Sequence, residues 1–141
     1  MISRVLLTLF LMICSVTDLV KKQIYLKIIF PFMAAGLALF FINGELSLLE
    51  ELGGIFLGVI LLLLARVSSE KIGYGDGLMV IVSGMFLGLF MNIRLLMWAL
   101  FISALVSAVL LMIKKAGRHT ELPFAPFLLI SYALMTVFYN G

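Results

Sequence analysis

Residues 53–90 read GGIFLGVILLLLARVSSEKIGYGDGLMVIVSGMFLGLF. Two apolar runs flank a polar connection from Ser68 to Asp76. The first run begins near Leu48 and ends by Arg66; the second opens at Gly77. A helix needs about 20 residues, rising ~1.5 Å each, to cross the hydrocarbon of a bilayer. Residues 48–66 meet that length, and 77–113 are far too long for a single span. The polar residues Asn92 and Arg94 therefore mark a second break, giving spans over 77–92 and 94–113. Outward from this centre, the same reading gives spans over 2–19, 24–42 and 123–139.

The composition agrees with lipid as the solvent. Of 141 residues, 65% are apolar and 12% are charged, against about 25% charged in ordinary soluble domains. Mean hydropathy is +1.29. A soluble domain of this size buries only part of its surface and could not hide so much apolar area. These properties exclude a soluble enzyme, a nucleic-acid-binding domain and a disordered tail. The net charge of +3 fits the excess of Lys and Arg that membrane proteins carry in cytoplasmic loops, and does not point to nucleic acid as a partner. The fold class expected is an all-α integral membrane protein, a bundle of six transmembrane helices.

Loop charges orient it. Of the 10 Lys and Arg residues, all but Arg4 and Arg94 fall on one side, in or beside the first, third and fifth connections. Basic residues mark the cytoplasmic side. Both termini of a six-span chain are then extracytoplasmic. The N-terminal stretch is read as a retained first helix, because no small-x-small cleavage site follows it and Ile13 precedes Cys14 where a lipoprotein signal has a small residue. With Cys14 the only cysteine, there is no internal disulfide and no Cys-based zinc site. Gly54 with Gly58, and Gly84 with Gly88, form smooth grooves for close helix packing inside one bundle.

Among the seven acids, Glu45, Glu50 and Glu51 read as solvated at the outer end of the second and third spans. Glu70 stands beside Lys71, and Glu121 ends a polar loop. Asp18 and Asp76 differ: the first closes an apolar run and the second opens one. An acid at the edge of hydrocarbon costs a few kcal/mol (about 3) unless it meets water or a partner, which marks it for function. Two crossings separate these acids, so they share a membrane face whichever way the chain is oriented. Two carboxyls at one face can share a proton, polarise water and protonate a leaving amine, as aspartic peptidases do. Gly73-Tyr74-Gly75-Asp76-Gly77 sets the second acid in a glycine-rich turn, where positive φ and close backbone approach are easy. The plainer reading of that turn is Asp76 as the N-cap of the fourth span. Helix polarity assigns the resting shared proton to Asp18, at the C-terminus of its helix, over Asp76, at an N-terminus.

Other polar residues have quieter readings. Cys14 stands one turn before Asp18 and is expected to be a buried small side chain. His119 is a solvated loop residue and holds no metal alone. Lys114, Lys115 and Arg118 meet anionic headgroups. Pro31 kinks the second helix, and Trp98 packs within the fifth span.

Taken together, Asp18 after a first membrane helix, the Gly-x-Gly-Asp turn at 73–76, and Leu122-Pro123-Phe124-Ala125-Pro126-Phe127 opening the last helix resemble type IV prepilin peptidases. The resemblance runs over nearly the whole chain, in order and at comparable spacing. The Gly-x-Gly-Asp turn alone also occurs in the larger presenilin-like intramembrane proteases.

This resemblance implies a single transmembrane peptidase domain over 1–141, in the inner (plasma) membrane, with its active site facing the cytoplasm. It implies an aspartic endopeptidase with Asp18 and Asp76 as the catalytic pair, and Gly73, Tyr74, Gly75, Pro123, Phe124 and Pro126 supporting the motifs. The substrate implied is a prepilin-like membrane precursor whose basic leader is removed, typically just after a glycine. No metal or organic cofactor is implied. Many members also methylate the new N-terminus through a cytoplasmic segment with paired cysteines. This chain lacks room for that segment and is similar to short peptidase-only members of tight-adherence pilus or archaeal preflagellin systems. It departs from the family at Ile24-Tyr25-Leu26, where Ile-Pro-Asn is frequent, at Gly77-Leu78, where Val-Lys is common, and at Ala125, where glycine is usual. The other class weighed for these acids is a small proton- or ion-coupled transporter or channel subunit.

Overall fold

The computed structural model describes residues 2–21, 24–44, 47–68, 73–113 and 122–140. Lys22, Glu45, Glu70, Lys71, Lys114, Lys115, Arg118, His119 and Glu121 lie outside the described residues. All regular structure among those described is helical: α1 (Ile2–Lys21), α2 (Leu26–Asn43), α3 (Leu48–Val67), α4 (Tyr74–Met112) and α5 (Ala125–Asn140). α1, α3 and α4 are long and apolar enough to cross a membrane, and α2 and α5 contribute the shorter apolar stretches Leu26–Ile42 and Ala125–Phe138.

Local signals set the helix ends. Ser47 caps α3: its hydroxyl accepts from the Glu50 amide, and the Glu50 carboxylate accepts from the Ser47 amide in return, satisfying two donors that the first turn would otherwise leave free. Gly44 ends α2 in the left-handed conformation, at φ 56°, with its N–H on the Phe40 carbonyl. α2 continues through Pro31.

The six helices expected from sequence are five among the described residues, and the break expected at Met91–Arg94 lies at Gly88. α4 has 39 residues and would be ~58 Å long if straight, about twice the hydrocarbon thickness. Gly88 interrupts it at φ 73°, ψ 179°, a region open only to glycine. The arms on either side do not run on in line. The Asn92 side-chain amide donates to the Val80 carbonyl at 2.9 Å, although 12 residues separate them; an unbroken helix would hold them ~18 Å apart. Helix therefore continues through Asn92 and Arg94, and the chain doubles back before them. Asn92 is fully buried because it fastens the arms together, and only Arg94 of the pair faces outward.

The core joins α1, α2, both arms of α4, and α5. Leu7, Phe10, Leu11 and Cys14 of α1 meet Ile29, Met79, Val80, Leu95, Ala99 and Leu128. α3 packs on α4 alone among the described helices, and small residues make that possible. A Cβ added at Gly54 would lie 2.5 Å from the Gly84 carbonyl oxygen, and one at Gly58 would lie 2.5 Å from the Ile81 amide nitrogen. Lipid is as apolar as the helix surfaces, so such close backbone packing, not water exclusion, drives the association. Gly54, Gly58 and Gly84 thus act within one bundle, as their spacing suggests, whereas Gly88, expected to form a packing groove with Gly84, is instead the break in α4. Trp98 is the exception to its expected packing role: it is half exposed and stands edge-on to Phe101, on the outward side of the second arm.

Candidate active site

Asp18 belongs to the buried stripe of α1, which runs Leu7, Phe10, Leu11, Cys14, Ser15, Asp18 at helical spacing. Being on the inward face, its carboxyl is carried into the bundle and left 7% exposed. Cys14, one turn behind, is fully buried, as expected of a small core side chain.

Asp18 is not without a partner. Its Oδ2 accepts the main-chain N–H of Ala125 at 3.0 Å. Ala125 is the first residue of α5 and is fully buried. The segment Leu122–Phe127 thus aims the N-terminal end of α5 at the C-terminal end of α1. Helix polarity read from α1 alone omitted this element, so the assignment of the shared proton to Asp18 no longer follows from it.

Asp76 sits in the first turn of α4, two residues inside its start. The N-cap is Gly73, in an extended conformation at φ −65°, ψ 131°, so Asp76 is not itself the cap. Its amide donates to the Gly73 carbonyl at 3.1 Å, and its carboxyl lies back beside Gly73. Asp76 is partly exposed, unlike Asp18. Asp18 stands near the end of α1 and Asp76 in the first turn of α4, whose Gly75 packs on Ile24 just after α1, so the two acids share one end of the bundle.

The glycines of the turn serve close approach and not positive φ, which among the described residues occurs only at Gly44 and Gly88. A Cβ at Gly75 would lie 2.8 Å from the Ile24 side chain. The turn carrying Asp76 is thereby pressed against the segment that enters α2 directly after α1. Tyr74 is exposed, Pro123, Phe124 and Pro126 are partly buried, and Lys21 lies over the Tyr25 ring at 5.3 Å from its centroid. Among the described residues no cluster of three or more His, Cys, Asp or Glu side chains could hold a metal.

Two polar features escaped the sequence reading. Glu51, expected to be solvated, is buried, and its Oε1 has no hydrogen-bond partner among the described residues. Ser83, Asn92 and the Gly54 carbonyl form a buried network: the Ser83 hydroxyl donates to Asn92 Oδ1 at 2.7 Å, and Asn92 Nδ2 donates to Gly54 O at 3.3 Å and to Val80 O. The only hint in sequence was Asn92 standing inside an apolar run.

Residues 5–112 match the sequence model of the type IV leader peptidase family. Asp18 and Asp76 fall inside that match, and the Pro123–Phe127 segment falls beyond it. No curated protein and no solved structure is significantly similar to the chain.

Proposed function

Because this chain belongs to the type IV leader peptidase family, we propose that it is an aspartic endopeptidase that removes the basic leader of prepilin-like membrane precursors at the cytoplasmic face, with Asp18 and Asp76 as its catalytic pair. The single observation that carries this reading is the placing of two acids, far apart in sequence, at one end of an apolar bundle: Asp18 near the end of α1 and Asp76 in the first turn of α4, whose Gly75 packs on Ile24 just after α1. Water lies between the acids and the scissile carbonyl. One carboxylate takes a proton from the water as its oxygen bonds to the carbonyl carbon, and the other acid gives a proton to the nitrogen as the C–N bond breaks. The precursor's own apolar helix lies beside the bundle and brings its leader junction to this end. The absence of paired cysteines from the sequence supports peptidase action without N-methylation.

The proposal includes six crossings, with the two arms of α4 as separate spans and both termini outside. The doubling back at Gly88 and the basic residues at the Asp18 end support it. In a chain with Cys14 replaced by Ala, cysteines placed at Gly44 and Arg94 should react with an impermeant maleimide from outside. Cysteines at Lys21 and Ser68 should react only after permeabilisation. An Arg94 position shielded from both sides would reduce α4 to one crossing.

The broken α4 gives some support to the transport alternative, since transporters build ion sites on interrupted helices. Here, however, the polar groups beside the break are used internally: both N–H bonds of Asn92 and its carbonyl oxygen already have protein partners. Co-expression with a prepilin-like precursor tests the peptidase directly. A shortened precursor is the expected product; proton or ion flux in liposomes with the precursor left intact would favour the alternative.

A further inference from the structure

The first turn of α5 has one main-chain donor to spare. Its N-cap, Phe124, accepts the amides of Phe127 and Leu128 at 3.0 and 3.2 Å. A helix start leaves free the amides of its N-cap and first three residues; of those three residues, Pro126 has no N–H, Phe127 is bonded to Phe124, and Ala125 gives its N–H to Asp18. Both groups are shut off from water, Ala125 fully and Asp18 to 7% exposure, so no solvent competes for the bond. The same bond sets the positive end of α5 against a carboxyl that stands at the negative end of α1.

We propose that the Ala125 N–H is a positioning group for Asp18. It fixes Oδ2, stops rotation of the carboxyl plane, and leaves Oδ1 as the oxygen presented to the reacting water. Pro126 is part of the device, because a second free amide at the next position would compete for the same carboxyl and let it swing between two donors. The inference rests on the hydrolytic reading of Asp18. It gives the Pro123–Pro126 segment a chemical duty: to deliver the Ala125 donor to the acid on α1, with no competing donor at the next position.

The test removes the N–H and keeps the side chain. Lactic acid incorporated at position 125 by cell-free translation keeps the methyl group and replaces the amide N–H with an ester oxygen. Ala125→Pro does the same genetically, at a first-turn position where proline suits the helix, and serves if the ester protein inserts poorly. Ala125→Gly, which retains the N–H, is the reference for the proline variant. Loss of the donor should lower kcat for leader removal about tenfold to a hundredfold, the scale of a misplaced catalytic group, with KM within about twofold. In isotope-edited infrared spectra the Asp18 carboxyl band, assigned by its loss in Asp18→Asn, should shift between the amide and ester proteins. An ester enzyme with unchanged kcat, or an unshifted band, overturns the proposal. If the parent chain leaves the precursor intact, the hydrolytic reading falls and the positioning role falls with it; a band shift then reports only a structural cap.

Discussion

The hydroxyl of Ser83 donates to Oδ1 of Asn92 at 2.7 Å, with both side chains fully buried. One residue lies on each arm of α4, so this bond, together with those from Asn92 to Val80 and Gly54, fastens the folded-back chain. Burial without water leaves each group dependent on the other. Asn92→Ala should destabilise the protein by about 1–3 kcal/mol, the range for orphaning a buried polar group. Combined with Ser83→Ala, a double-mutant cycle in denaturant-titrated micelles should give a coupling of about 0.5–1.7 kcal/mol, in line with interhelical bonds in membranes. Additive effects would mean that the two side chains do not act as a unit.

Gly88 supplies the turn that this network holds. Its φ of 73° with ψ of 179° excludes a Cβ at ordinary energy. Gly88→Ala should therefore destabilise by about 1–3 kcal/mol, measured as a lower midpoint of unfolding in detergent. The loss should be largest in a chain that retains Asn92, because there the network opposes straightening. A variant as stable as the parent would show that α4 can run through this point as a helix.

The helices themselves were legible because apolar runs punctuated by short polar connections are a strong signal, and α1, α2, α3 and α5 start and end within a few residues of the spans read from sequence. The break in α4 was misplaced for a physical reason. Asn92 and Arg94 look like loop residues by polarity, yet a buried asparagine can stay helical when its side chain is fully bonded, and a glycine inside an apolar run carries no polarity at all. At the site, Asp18 and Asp76 stood out as acids at the ends of apolar runs, but the link from Ala125 to Asp18 could not. It is a main-chain donor 107 residues away, and main-chain donors leave no mark in a sequence.

Glu51 was misread for the converse reason: three acids near a loop look solvated. α3 runs antiparallel to the first arm of α4, with Gly58 against Ile81 and Gly54 against Gly84, and Gly53 meets Leu89 just past the break. That register carries Glu51 to the level of the break, where its Oε1 is buried without a partner among the described residues. A buried polar oxygen with no hydrogen bond is a standing cost of about 1–3 kcal/mol. Glu51→Met, which fills similar space without polar atoms, should raise stability by about 1–2 kcal/mol and leave leader removal unchanged. A folded Glu51→Met protein that no longer cleaves would assign this carboxyl a part in the reaction.

The two acids make the strongest demand on experiment. Each belongs to a different mode of support: Asp18 is buried and held from α5, while Asp76 is partly exposed and folded onto its own helix start. Replacing either by Asn keeps size and most hydrogen bonding but removes the capacity to exchange a proton. General acid–base catalysis is worth about 10²–10⁴-fold per group, so Asp18→Asn and Asp76→Asn should each reduce leader removal by at least about a hundredfold. Membrane levels should hold, since neither change opens a cavity. The double variant should lose little more than either single one, because a pair that shares one proton fails as a unit. Activity lost stepwise and multiplicatively would instead describe two independent carboxyls, each acting on the substrate alone.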